Sequence, residues 1–500
     1  MSIENNKLTI AGFGFFLICA ALYMTVQFMS GINFVTLAKA AVLFSPLLLA
    51  GFLALKSHWL SFTLGCIPLV STELISIPMF DKLSPLMLIV MLVFFFSLGL
   101  KIIRGDRSAV FDTREAKAML FVGIVITGWF IYQRPSAFRL GSSSGGLLGA
   151  LHALLAVYAF WSMSYIIKGQ FDAKSVFRTL VKIAAFVWVF VCGSQFLRGG
   201  FSMYLFERAS WMFFPLLLVL IFHGEQNGKI RGSGLRFFII FTFLPMAVFS
   251  AYRSRPIFFL ATVAVVSFFY GKMKRTFLVV LIVLTIGLVA LISIKGEVPV
   301  RLIRPLSLIM PGLTFSGNEA IQMDISGETG WKSDFRGKMY KMTWEKVIRS
   351  PLLGYGAKLD LQEMVSLYLL TNQEEGLNEM LVMSGSSHNL VLSIMVSYGV
   401  PAALAFIYAY TMLLGHFMQG IRRMENSYLK MLCVAICGMM VGSTGQALMN
   451  GGPIDLLVLS VPLGIMNGLM RRAEWPREAR QKNFIVRGSS SRFKALAVRP

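Results

Sequence analysis

The chain has 500 residues, of which 56% are hydrophobic and 14% charged, with a mean hydropathy of +0.69. A soluble domain carries about 25% charged residues, so this composition argues against a soluble enzyme. The net charge of +23 would suggest nucleic acid in a soluble protein; in a chain this apolar it reads as Lys and Arg gathered on the inner side of a membrane.

Apolar runs near the length of a membrane crossing recur along the chain. Taken in order they fall at 8–30, 33–55, 59–79, 84–101, 118–133, 147–167, 180–197, 209–223, 236–252, 255–270, 276–294, 388–415, 430–449 and 454–470. The fold class is therefore all-α, a polytopic transmembrane helical bundle of about fourteen spans (range about 12–14), with one long outer loop containing short helices. The first run lacks a small-residue cleavage site and reads as a true span. Residues 1–294 hold the first eleven spans, 295–387 the loop domain, 388–470 the last three spans, and 471–500 a basic tail.

The connections rich in Lys and Arg set the orientation. Lys101, Arg104, Arg107, Arg114 and Lys117 form one group, and Lys168, Lys174, Arg178 and Lys182 another. Lys272, Lys274, Arg275, Arg422, Arg423 and Lys430 continue the series on the same side. This places both termini and the tail in the cytoplasm. The tail has little periodicity and suits a disordered segment against anionic lipid. The five Cys all lie in apolar runs; Cys433 and Cys437 share a helix face without neighbouring metal ligands and read as structural.

The segment 295–387 is nearly charge-balanced. Its stretch from Arg336 to Arg349 has Met339, Met342, Trp344 and Val347 at near-helical spacing. Ser350-Pro351-Leu352-Leu353-Gly354-Tyr355-Gly356 stops that helix, and a second helical stretch is expected over 360–370. A loop this long with its own amphipathic helices is usually a lid or a substrate platform.

Against the orientation rule, Arg134, Arg139, Arg198, Arg208, Arg253 and Arg255 fall at the outer ends of spans. Boundary charges of this kind are candidate functional residues, and a guanidinium offers a planar fork that fits phosphate oxygens. Arg253-Ser254-Arg255-Pro256 sits in a short turn between two apolar runs. Pro256 suits a first helical turn, so Arg255 would lie beside a helix N-terminus, where an anion is favoured. Glu207-Arg208 precedes another span in the same way, with a local ion pair as the alternative reading.

Where the long loop runs into the next apolar segment stands His388-Asn389. An imidazole has an unperturbed pKa of about 6.5 and can take a proton near neutral pH. His388 at this boundary is a candidate general base, with a purely structural helix-start role as the alternative. Asp324, Asp334, Glu374, Glu375 and Glu379 are alternative bases, and no Asp-x-Asp pair stands in the outer segments to hold a metal. His58, His152, His223 and His416 read as structural.

Three stretches together resemble the O-antigen ligase and polysaccharide polymerase superfamily of bacterial inner-membrane glycosyltransferases. Ser254-Arg255 before an apolar helix is similar to the family's Ser-Arg-Gly element, with Pro256 in place of the Gly. Arg336, Trp344 and then Pro351-Leu352-Leu353-Gly354-Tyr355-Gly356 resemble its Arg, helix and Pro-Leu-x-Gly-x-Gly segment. His388-Asn389 followed by Tyr398-Gly399-Val400-Pro401 resembles its His-Asn element and following Gly-x-Pro. The match covers roughly 208–404.

The resemblance implies transfer of a glycan from an undecaprenyl-diphosphate carrier on the periplasmic face, without metal or other cofactor. The catalytic residues would be His388 as base and Arg255 on the diphosphate. Arg208, Arg253, Arg336 and Asn389 would contact substrate, although Arg253 has no counterpart in the family pattern. The implied partners are the lipid-linked donor, a glycan acceptor (a lipid-linked repeat or lipid A core) and the bilayer, with a chain-length regulator as a further candidate. Nucleic acid is not among them. The competing class is a lipid-linked oligosaccharide flippase. Transporters usually show internal repeats and midplane polar residues, whereas here no repeat relates the halves and the charges gather at the outer boundary. A scaffold would leave glycan assembly intact in a His388→Ala variant.

Overall fold

The computed structural model describes residues 113–133, 146–167, 172–197, 203–228, 255–274 with 276 and 278, 331–355, 389–425, 428–450 and 453–471, together with Leu64. The expected spans at 8–30, 33–55, 84–101 and 236–252, nearly all of 59–79 and 276–294, the stretch 360–370 and the tail beyond Arg471 lie outside these residues.

Ten helices are described. They are α1 (Arg114–Gln133), α2 (Gly146–Ile167), α3 (Ala173–Leu197), α4 (Met203–Gln226), α5 (Arg255–Phe269), α6 (Trp331–Arg349), α7 (Leu390–Tyr398), α8 (Val400–Arg423), α9 (Tyr428–Asn450) and α10 (Pro453–Met470). There is no strand among the described residues. Three helices among them are long and apolar enough to cross a membrane, over Arg114–Tyr132, Val400–Arg423 and Tyr428–Leu448.

Local chemistry sets the helix starts. Thr113 caps α1, its Oγ1 accepting from the Ala116 amide at 3.2 Å. Asp172 caps α3 through the Lys174 amide at 3.0 Å. Both side chains satisfy amide donors that the first helical turn leaves unpaired. α3 begins at Ala173, before the expected span at 180, since Lys174 and Arg178 dilute the apolar signal of its first turns.

One correction concerns the span expected at 388–415. The chain forms α7 and α8 there, divided at Gly399, which has φ +86° and ψ 163°. Only glycine occupies that region routinely. Both halves are apolar, so hydropathy alone joins them.

α9 is the buried hub, packing against α3, α4, α5, α7, α8 and α10. Small residues let helix backbones approach closely. A Cβ on Gly442 would lie 2.6 Å from Thr262 Oγ1 and 2.7 Å from Phe258, and Thr262 Oγ1 donates to the Gly438 carbonyl at 3.1 Å. α10 meets α2 in the same manner. Ser164 Oγ donates to the Gly464 carbonyl at 3.0 Å and accepts from Asn467 Nδ2 at 3.0 Å. A Cβ on Gly464 would meet the Phe160 carbonyl oxygen at 2.5 Å.

The two ends of the bundle differ. At one end His416 Nδ1 lies 3.5 Å from Glu115 Oε1. There the Arg422 guanidinium sits 4.6 Å over the Phe268 ring, and Lys174 and Arg178 lie over Tyr428 at 5.9 and 5.8 Å. These contacts bring together the starts of α1, α3 and α9 and the ends of α5 and α8. At the opposite end lie the start of α8 and the turn that follows α6.

Candidate functional site

α6 stops where Ser350-Pro351 was expected to stop it. The Gly354 amide then donates to the Ser350 carbonyl at 3.1 Å, while Ser350 Oγ donates to the Gly354 carbonyl at 3.0 Å. This closes a tight turn. The buried face of α6 is Thr343 and Val347, one helical turn apart, while Trp344 is exposed. The helix expected from the spacing is present, and Trp344 lies off its buried face because it stands about 100° around the helix from Thr343.

The turn is locked onto the α7–α8 junction. The Tyr355 amide donates to the Val396 carbonyl at 2.7 Å, and the Val400 amide to the Pro351 carbonyl at 2.8 Å. Gly354 has φ +69°, and a Cβ there would lie 2.7 Å from the backbone nitrogens of Tyr398 and Gly399. A Cβ on Gly399 would run into the Leu352 carbonyl. Trp129, from the far end of α1, adds an indole N–H to the Leu353 carbonyl at 2.6 Å. Two motifs some 45 positions apart thus form one backbone-to-backbone latch. Its hydrogen bonds satisfy amides and carbonyls that neither the loop turn nor the helix break could satisfy alone. Tyr398 is buried beside it.

Asn389 is the N-cap of α7. Its Oδ1 accepts from the Val391 amide at 3.0 Å and the Leu392 amide at 3.2 Å. His388, the residue before it, lies outside the described residues, as does Arg253. The backbones of Arg208, Arg255 and Arg336 are described; their side chains are not.

Arg255 is the first residue of α5, followed by Pro256 as expected for a first turn. Arg208 lies in the second turn of α4 and Arg336 in the second turn of α6. α4 and α5 run parallel in a fixed register. Trp211 meets Phe258 at 6.1 Å between ring centroids, Phe214 meets Phe259 at 4.9 Å, and Phe222 meets Tyr270 at 6.0 Å. Arg208 and Arg255 each stand three positions before the first of these paired rings. The register brings the two arginine positions to one level, at the end of the bundle away from the Arg422–Phe268 contact.

The helices that bear the candidate residues also form one connected set. α4, α5 and α7 all pack on α9, and α6 packs on α7. Sequence reasoning had singled out both halves of the latch without joining them. It missed Trp129, whose position at the end of an apolar helix was the available signal.

The fold and this latch define an all-helical membrane protein with a loop helix clamped to the break between two helices. Residues 238–407 match the family model described as O-Antigen ligase. The matched stretch contains α5, α6, α7 and the latch, and agrees with the motif resemblance over 208–404. No curated protein matches the chain.

Proposed function

We propose that the protein is a periplasmic-face membrane glycosyltransferase that polymerises or ligates surface polysaccharide from undecaprenyl-diphosphate-linked donors. The observation that carries this reading is the common level of Arg208 and Arg255 at the starts of two parallel helices, inside and beside the O-antigen ligase domain. Two permanent cations at one depth suit a diphosphate, which carries paired anionic groups. The N-terminus of α5 adds amide donors at the same place.

In the proposed reaction the anomeric carbon leaves the lipid diphosphate and charge develops on the departing phosphate oxygen. Arg255 and Arg208 stabilise that charge without a metal. Arg253 and Arg336 extend the cationic lining. His388 removes the proton from the attacking sugar hydroxyl. Asn389, held by its cap, fixes the backbone next to the base and contacts the glycan. The bond formed is anomeric carbon to acceptor oxygen, the bond broken is anomeric carbon to phosphate oxygen, and the lipid diphosphate departs. The positive-inside pattern supports an inner-membrane protein with cytoplasmic termini.

A glycan profile of a deletion strain tests the reading and its subtype. Single capped repeats mean a polymerase, polymer left on its carrier means a ligase, and an unchanged profile removes the proposal. Accumulation of lipid-linked repeats that never reach the outer leaflet would indicate a flippase instead.

A further inference from the structure

Gln446 of α9 is only 8% exposed and its Oε1 has no hydrogen-bond partner among the described residues. Ser443, 6% exposed, has an Oγ equally without a partner among those residues. The two are three positions apart and share a helix face. Buried polar atoms are almost always paired in native proteins, and an exception calls for a cause.

Their place in the fold supplies one. Gly438 meets Val266 and Thr262 of α5, and Gly442 meets Thr262 and Phe258, so α5 and α9 run antiparallel. One turn beyond Gly442, this ridge reaches Gln446 at the level where α5 begins with Arg255. The α4–α5 register brings Arg208 to the same level. Gln446 therefore stands at the depth of the two arginine positions, with Ser443 about one turn deeper on the same face.

We propose that Gln446 and Ser443 form a hydrogen-bonding subsite for the hydroxyl groups of the first sugar on the lipid diphosphate. This rests on the donor reading above. Guanidinium groups only donate, which suits phosphate oxygens but leaves a sugar hydroxyl's proton without an acceptor. Gln446 Oε1 accepts, and Ser443 Oγ both accepts and donates. A carboxylate here would pair with the arginines and compete with the diphosphate; an amide and a hydroxyl leave the cations to the anion. The division of labour is charge for the phosphates and neutral polar groups for the sugar.

The test is binding to the full-length protein in nanodiscs, with two probes. One is sugar-free undecaprenyl diphosphate; the other is the lipid-linked repeat extracted from a strain lacking this protein. Gln446→Leu is expected to bind the sugar-free carrier within about twofold of the unaltered protein and the glycan-bearing carrier about tenfold more weakly, the scale of one lost buried hydrogen bond. Ser443→Ala, which removes a hydroxyl and little bulk, shows the same split and serves if Gln446→Leu does not insert. Arg255→Ala weakens both probes. Unchanged binding in Gln446→Leu and Ser443→Ala, or equal weakening of both probes by them, overturns the sugar subsite. If Arg255→Ala changes neither probe, the diphosphate reading itself falls.

Discussion

Gly354 and Gly399 stand back to back, each in a conformation with positive φ, and a Cβ on Gly354 would lie 2.7 Å from the Gly399 nitrogen. The contact is backbone against backbone, so no side chain can yield to make room. Gly399→Ala is expected to cost at least the one to three kcal/mol or so of a forced conformation, with the clash against Leu352 in addition. Gly354→Ala carries the same kind of penalty. Both variants should insert in the membrane, melt at lower temperature and lose polymer. Leu352→Ala, altering an exposed side chain, should melt within a degree or two of the unaltered protein.

Trp129 fastens the same latch from α1. Trp129→Phe keeps most of the ring and removes the hydrogen bond to Leu353, worth about 0.5–1.5 kcal/mol. Faster hydrogen exchange is expected at the Tyr355 and Val400 amides, with no change in the middle of α9. Equal exchange at all three sites would show that Trp129 does not hold the turn.

The close approach of α5 to α9 predicts a graded response in glycine variants. Gly442→Ala must displace Phe258 and Thr262 and should destabilise by about 1–3 kcal/mol. Gly438→Ala, where the nearest atom is 3.2 Å away, should cost less. A Cβ on Gly415 meets nothing within 4 Å, and Gly415→Ala should raise stability by up to about 1 kcal/mol through helix propensity. Thermal melting of the three variants checks the order.

Asn389 allows capping to be separated from chemistry. Asn389→Ala removes the cap and should lose about 1 kcal/mol. Asn389→Asp keeps an acceptor for the Val391 and Leu392 amides and should restore stability. If Asn389→Asp restores the melting temperature but not glycan transfer, the amide also contacts substrate, as proposed.

Much of this architecture was legible in the chain because membrane solvation imposes long apolar helices. The ends of α2, α9 and α10 follow hydropathy to within about two residues, inside the usual boundary error. The amphipathic start of α3 escaped it because Lys174, Arg178 and Lys182 dilute the apolar signal. The division at Gly399 escaped it for a different reason: the glycine is explained by the Leu352 carbonyl, a partner distant in sequence. The level shared by Arg208 and Arg255 is likewise set by aromatic contacts between helices that no local pattern encodes. Gln446 was readable in principle, as a polar residue one turn past two glycines in an apolar run.

The most direct test of the account is glycan transfer by the purified full-length protein, reconstituted in vesicles with a lipid-diphosphate-linked repeat. Arg255→Ala and His388→Ala are each expected to reduce turnover by about 10²-fold or more while leaving the melting temperature unchanged, and Arg255→Lys should recover little because a point charge lacks the guanidinium fork. Product of unaltered length, formed at an unaltered rate by both alanine variants, would contradict it.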